Sequence, residues 1–232
     1  MRSQVEETLR RAIADGDINP GTRLVERELC QKFSVSRPLL REALRQLEAE
    51  RLIQTIPSRG MIVAKPTLED ALQLFQVRAE LEGLASRIVA EQGSAEDHAL
   101  LAKAIGALKA ALASGNARSV RDHKNALYAK LIQASGNEVL GQILSGLYNR
   151  IQLFRGASLA EPGRAEAAVA ELDAIVIAIL ARDGRNAELL TALHMQNAAR
   201  VLAQALAKAA DRELTPEERA AIERTPGLNL DE

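Results

Sequence analysis

The chain has 232 residues, 47% hydrophobic and 26% charged, with 2% aromatics and a formal net charge of −1. That length fits two domains of unequal size, and few aromatics beside abundant alanine favour packed helices over a sandwich or barrel. The longest apolar run, AIVIAILA at 174–181, falls far short of the roughly 20 residues of a membrane span. No basic-then-apolar leader opens the chain, and the single cysteine, Cys30, excludes an internal disulfide. We therefore expect a cytoplasmic protein with no membrane partner.

Charge is divided unevenly. Residues 1–65 carry a net +3 and residues 66–232 a net −4. Within the basic part, Val5, Leu9, Ala12 and Ile13 mark an amphipathic helix that Gly16 and the turn Asn19-Pro20-Gly21 end. A short second helix runs from about Val25 to Lys32 with Leu29 inward. After a break at Phe33–Val35, Ser36 is a good N-cap for a third helix reaching about Glu50, with Pro38 in its first turn. On that helix Arg37, Arg41 and Arg45 share one stripe, and Leu40, Ala43, Leu44 and Leu47 share another about a quarter turn away. One stripe can pack inward while the other is offered to a partner. A solvated charged face beside a core face is the alternative. For Arg45, phosphate contact and a salt bridge to the next turn stay open.

Two β-rich runs, Leu52–Ile56 and Met61–Ala64, flank Pro57, Ser58, Arg59 and Gly60, which is a hairpin signal. A hairpin directly after a helix-turn-helix reads as a wing, with Arg59 at a tip that can reach a neighbouring groove.

The run GTRLVERELCQKFSVSRPLLREALRQLEAERLIQTIPSRGMIV, Gly21 through Val63, resembles the winged helix-turn-helix of GntR-type bacterial transcription regulators. The resemblance implies double-stranded DNA as partner, with contacts from Arg27, Ser36, Arg37, Arg41, Arg59 and Gly60. Arg37 or Arg41 would read guanine through a guanidinium fork, while Arg27 and Ser36 hold phosphates. Relatives carry Thr-Pro-Val where this chain has Pro38, Leu39 and Leu40, so one hydroxyl able to meet a phosphate is absent.

From Pro66 and Thr67 the pattern is helical throughout: a long helix to about Gln92, opened by Thr67 and Asp70, then segments from Ser94 to Ala113, Ala117 to Ala134, one capped by Asn137, Arg164 to Arg182, and Ala187 to Ala210. Six helices with short connections make a bundle. The last twenty residues, with Pro216 and Pro226, read as a short helix and tail. The expected fold is thus mainly α: a winged helix-turn-helix with a small β-hairpin wing over 1–65, an all-α effector-binding and dimerisation domain over 66–212, and a C-terminal segment over 213–232.

The second half resembles the ligand-sensing domain of the FadR subfamily of GntR regulators, through RAELEGLASRIVAEQ at 78–92, LIQASGN at 131–137 and ELDAIVIAILARDGRNAELLTALH at 171–194. Most such domains bind a small carboxylate, often through a divalent metal held by one aspartate and three histidines. Reading back from SGN, the aspartate position falls on Lys124 and its histidine partner on Tyr128; Leu172 stands where a second histidine is expected, and only His194 matches. We expect no metal, or at most a weak divalent metal near His194. In its place Lys124 would meet an anionic effector, with Tyr128, His194 and Arg78 around it. The alternative is a pocket in which Lys124 reaches solvent, Tyr128 is core and Arg78 pairs with Glu82. Arg150 and Arg155 are second-choice anion contacts, and His98 and His123 read as surface or satisfied histidines.

There is no nucleophile motif, H-E-x-x-H or glycine-rich phosphate loop, so an enzyme is not expected. A helical interaction module without sequence-specific DNA binding is the alternative to a regulator. The regulator reading implies a homodimer on a short palindromic operator, with the alanine-rich bundle as dimer surface and effector control acting through the joint near Ala64–Thr67. On the resemblance, repression is expected over activation.

Overall fold

The computed structural model describes residues 2–14, 16–65, 67–154 and 163–225. These fall into two compact units, the first within Met1–Thr67 and Ser145–Gly156, the second within Leu68–Leu144 and Ala157–Glu232. The chain is mainly helical with a single two-stranded sheet among the described residues.

In the first unit, helix α1 (Arg2–Ala14) buries Val5, Leu9, Ala12 and Ile13, the stripe that its 3.6-residue spacing predicts. Helix α2 (Glu26–Phe33) ends at Ser34, whose left-handed backbone (φ 54) turns the chain into an extended Ser36. Helix α3 (Arg37–Ala49) starts there with Pro38 in its first turn, where the absent N–H costs no helix bond. Leu40, Ala43, Leu44 and Leu47 are fully enclosed. Each buried leucine contributes about 2 kcal/mol by removal of apolar area from water.

Strands β1 (Ile53–Ile56) and β2 (Gly60–Val63) pair antiparallel, Ile53 opposite Val63 and Ile56 opposite Gly60. The turn between them needs positive φ at Ser58 (71) and Gly60 (76), so the glycine removes a side-chain penalty at the second place. The stretch before α2 also joins this sheet: the Leu24 N–H donates to the Met61 carbonyl at 2.8 Å, and the Val63 N–H to that of Thr22 at 3.0 Å. This stretch, between the turn at Asn19-Pro20-Gly21 and α2, has too few residues for an alternating pattern to mark it in the sequence.

Two carboxylates at the end of α3 lock its neighbours. Glu48 accepts from the Thr55 backbone N–H (3.1 Å) and hydroxyl (2.7 Å), fixing the wing to α3. Glu50 accepts both Nε (2.8 Å) and Nη2 (2.7 Å) of Arg10 on α1, together with Gln46 and Asn149. Asn149 comes from the late segment that returns to this unit, and Leu153 there is buried in the same core. The sequence reading assigned all of 66–212 to the second domain, since helical periodicity does not show which core a leucine enters.

The second unit comprises α4 (Leu68–Gln92), α5 (Ala95–Ala113), α6 (Ala117–Ala134), the first half of α7 (Glu138–Ile151), α8 (Arg164–Leu180), α9 (Gly184–Ala209) and α10 (Pro216–Glu223). Helix α4 packs chiefly along α9, and α5 packs on α6 and α8. Side-chain caps set the starts: Ser94 and Asp97 form a capping box on α5, Asn116 caps α6, Asn137 accepts from the Leu140 N–H, and Thr215 and Glu218 cap α10. Asp183 accepts from the Asn186 N–H at 3.1 Å, which starts α9 at Gly184, three residues before the expected Ala187. No helix among the described residues is long and apolar enough to cross a membrane. The expectations resting on Pro66, Arg155 and Pro226 lie outside the described residues.

Candidate functional sites

The helix-turn-helix and wing place the six residues expected to meet DNA as follows. Arg27 is exposed in the first turn of α2, and Ser36 sits exposed at the N-cap of α3 with no side-chain cap bond, so its hydroxyl is not spent on the helix. Arg37 and Arg41 are exposed on α3, and Arg59 and Gly60 are exposed at the hairpin turn. The buried leucine stripe of α3 fixes which way the arginine stripe faces. Arg41 Nε donates to both Oε1 (2.9 Å) and Oε2 (3.0 Å) of Glu26, the first residue of α2. Arg45 pairs through Nη1 with Glu42 at 2.8 Å, one turn earlier in the helix and not one turn later. The Glu26 partnership was not foreseen. Its residues are 15 apart in sequence, and only the crossing of α2 and α3 joins them.

In the second unit a buried polar cluster gathers around His194 on α9, which is 1% exposed. Its Nδ1 lies 2.5 Å from Glu171 Oε2 on α8, and its Nε2 lies 2.7 Å from the Tyr128 hydroxyl on α6. An ionised carboxylate only accepts, so Nδ1 carries the imidazole proton, Nε2 accepts, and the Tyr128 hydroxyl donates to it. Glu171 also accepts from Arg164 Nη1 and Nη2 (3.1 Å) and from Asn197 (2.9 Å).

The electrostatics hold these states. Burial pushes the His194 pKa down to about 4 against the pull of Glu171, helped by the positive charges of Lys124 and Arg164. Burial opposes ionisation of Glu171, yet the hydrogen bonds and charges of His194 and Arg164 outweigh it and bring its pKa to about 2. Burial and the Glu82 charge push the Tyr128 hydroxyl well above its ordinary range. At neutral pH the line is therefore a neutral tyrosine, a neutral histidine and a carboxylate.

Of the four residues expected to bind an effector, Tyr128 and His194 are in direct contact. Arg78 lies with its guanidinium 5.7 Å from the Tyr128 ring centre, and Lys124 is half-buried and close enough for its charge to act on His194. Arg78 Nε also donates to Glu82 at 2.7 Å, both side chains being buried, so the arginine is held within its own helix as well as facing the tyrosine. Glu171, Arg164 and Asn197 were missed. Their spacing carried a signal: Arg164 and Glu171 lie seven apart and His194 and Asn197 three apart, each pair on one helix face. Below the cluster, Leu101, Leu127, Leu131, Leu172 and Ile179 line a cavity of about 20 Å³, room for one water. Arg150 groups with the first unit, and His98 is satisfied by the Val89 carbonyl at 2.9 Å.

A recognition helix with a wing, followed by a helical domain built round buried charges, defines a winged helix-turn-helix regulator with a sensing domain. Residues 1–63 match the bacterial regulatory proteins of the gntR family, and residues 73–197 match the FCD domain. The chain belongs to the gntR family and carries an FCD domain; it is a DNA-binding transcription regulator and not an enzyme.

Among relatives, the HTH-type transcriptional repressor GlaR of Escherichia coli (strain K12) is 28% identical over 210 residues, 86% of this chain and 94% of that one. The Glc operon transcriptional activator of the same strain is 32% identical over 165 residues, 62% of this chain and 64% of that one. In fold, E. coli McbR/YncC superposes with a TM-score of 0.77 at 21% identity, covering 88% of this chain and 97% of that one.

Proposed function

We propose that this regulator is a cytoplasmic homodimer that represses transcription by reading a short palindromic operator, and that a small carboxylate-type anion releases or reinforces that grip without a metal. The observation that carries the DNA reading is the set of exposed cations on one module: Arg27, Arg37, Arg41 and Arg59, with Ser36 and Gly60 allowing close approach. One such module reads a half-site, which supports a two-fold dimer on a palindrome. Repression follows GlaR, a relative named as a repressor and matched over 86% of this chain.

The effector reading rests on Lys124, Tyr128, His194 and Arg78. Lys124 brings a positive charge to the place where relatives hold a metal, and an anion there would gain from Arg164 as well. The donor chemistry does not fit a divalent cation. Both imidazole nitrogens of His194 are engaged, one by Tyr128 and one by Glu171, while Lys124 and Leu172 offer no ligand of the expected kind. Among the described residues no group of three His, Cys, Asp or Glu side chains could hold a metal ion.

Two measurements test this. The full chain is selected against random duplexes, and the recovered sequence is bound over a range of salt; a palindromic motif whose affinity falls with salt and collapses in Arg37→Ala supports the DNA reading. Thermal stability is then followed with a panel of small carboxylates and phosphorylated sugars, each with chelator and with added zinc. A ligand whose stabilisation ignores chelator supports the metal-free site, and stabilisation by zinc alone overturns it.

A further inference from the structure

The Glu26–Arg41 pair is unusual among the contacts of α3 because of which nitrogen it uses. Arg41 makes both of its hydrogen bonds to Glu26 from Nε, at 2.9 and 3.0 Å. A guanidinium meets the O6 and N7 edge of guanine with two parallel N–H groups, either side-on through Nε and one Nη, or end-on through both Nη groups. A carboxylate on Nε removes the side-on choice. What remains is a fork of two Nη groups directed away from Glu26, on a side chain that is still 61% exposed. Arg45 is the contrast: Glu42 takes its Nη1, so the fork itself is engaged.

Holding the arginine also lowers the cost of reading. A free arginine side chain gives up about 2 kcal/mol of rotamer entropy when it is ordered. An arginine already held through an Nε–H shared between two carboxylate oxygens gives up less on docking. The carboxylate has a further effect, since its negative charge repels phosphate and so discourages Arg41, which it holds, from settling on the DNA backbone. A carboxylate so placed would lower general affinity for DNA while raising discrimination, as a group that acts against the wrong partner does.

We propose that Glu26 is a positioning residue that sets sequence specificity, by gripping Arg41 at Nε so that its two Nη groups read one guanine end-on in each half-site. This rests on the proposed reading of α3 as the helix that enters the major groove. Val25, extended and without a capping side chain, starts α2 directly before Glu26, so the carboxylate projects from the first turn of a helix that packs across α3.

The test uses the full chain selected on a random duplex library, comparing wild type with Glu26→Ala, Glu26→Gln and Arg41→Ala, with base preferences read at every position and melting followed in parallel. Arg41→Ala loses its preference at one guanine per half-site. Glu26→Ala weakens preference at that same guanine by about tenfold while the other positions keep theirs. Glu26→Gln, which keeps one acceptor without the charge, falls between. Binding to unrelated duplex stays equal or tightens in both Glu26 variants. Full preference at the Arg41 position in Glu26→Ala overturns the proposal. So does an equal loss at all positions with a lowered melting temperature, which would mark Glu26 as a structural contact. If Arg41→Ala itself changes no base preference, Arg41 reads no base and the proposal falls; Arg37→Ala run beside it shows separately whether α3 still reads the groove, since unchanged preference there and in Arg41→Ala alike would be failure of that reading of α3 itself.

Discussion

The Tyr128 hydroxyl stands 2.7 Å from Nε2 of His194 and donates to the nitrogen that carries no proton, the other being turned to Glu171. Phenylalanine at this position keeps the ring, and with it the Arg78 contact, while leaving Nε2 a buried acceptor without a donor. Tyr128→Phe is expected to lower unfolding stability by about 1–3 kcal/mol. Urea denaturation of the two proteins at neutral pH checks it, and equal midpoints would show that the hydroxyl carries no structural role.

His194 makes stability depend on pH in a definite direction. Its folded pKa of about 4 lies below the ordinary 6.5, so the unfolded chain takes up the proton first. The contribution is complete above 6.5 and is lost as pH falls toward 4, by at most about 3 kcal/mol. Glu171 adds its own loss only below the ordinary carboxylate value of 4.5. Urea midpoints measured between about pH 7 and 5 should fall for the wild type and flatten in His194→Gln. An unchanged slope in the variant would assign the effect to other groups.

Lys124 should be felt both by the effector and by the histidine. Its charge helps hold the His194 pKa down, so Lys124→Met raises that pKa toward the ordinary 6.5 and makes the acid loss of stability smaller. The same variant is expected to abolish stabilisation by whichever carboxylate the ligand panel identifies. Retained ligand binding with full affinity in Lys124→Met would remove lysine from the site.

The Arg10–Glu50 pair ties α1 to the end of the recognition helix. Burial opposes the Glu50 charge, but hydrogen bonds from Arg10, Gln46 and Asn149 hold its pKa below the ordinary 4.5. Its contribution is therefore present above that value and lost as pH falls below it. Glu50→Ala takes this acceptor from Arg10, which keeps only its longer contacts to Glu6 and Glu7, and from Asn149, and should cost about 1–3 kcal/mol. A double-mutant cycle with Arg10→Met measures the coupling, and additive losses would mean that the pair contributes nothing of its own.

Arg27 and Arg59, both proposed to meet DNA, are exposed on different elements, α2 and the hairpin turn. If each neutralises one phosphate, removing either lowers the salt slope of operator binding by about 1. Affinity titrations of Arg27→Ala and Arg59→Ala at several salt concentrations read this directly. An unaltered slope for Arg27→Ala would take it off the phosphate backbone.

Much of this architecture was legible in the residues. The leucine stripe of α3, the proline in its first turn and the turn residues before Gly60 announced a helix-turn-helix and wing because each acts over three or four positions. Ser94 with Asp97, and Asn137, marked helix starts by the same local chemistry. The lysine and tyrosine at 124 and 128 could be placed on one face from their spacing, and His194 from the motif around it.

What the residues could not announce were partnerships between elements distant in the chain. Glu26 reaching Arg41, Glu50 receiving Arg10 and Asn149, and Glu171 meeting His194 depend on how helices cross, and crossing is decided by the packing of whole faces. The order of the elements and the direction each face points are thus written in local periodicity. Which carboxylate neutralises which arginine, which nitrogen of His194 carries its proton, and which core receives Leu153 were decided only by the tertiary fold, because burial and the nearest charge are properties of assembled surfaces.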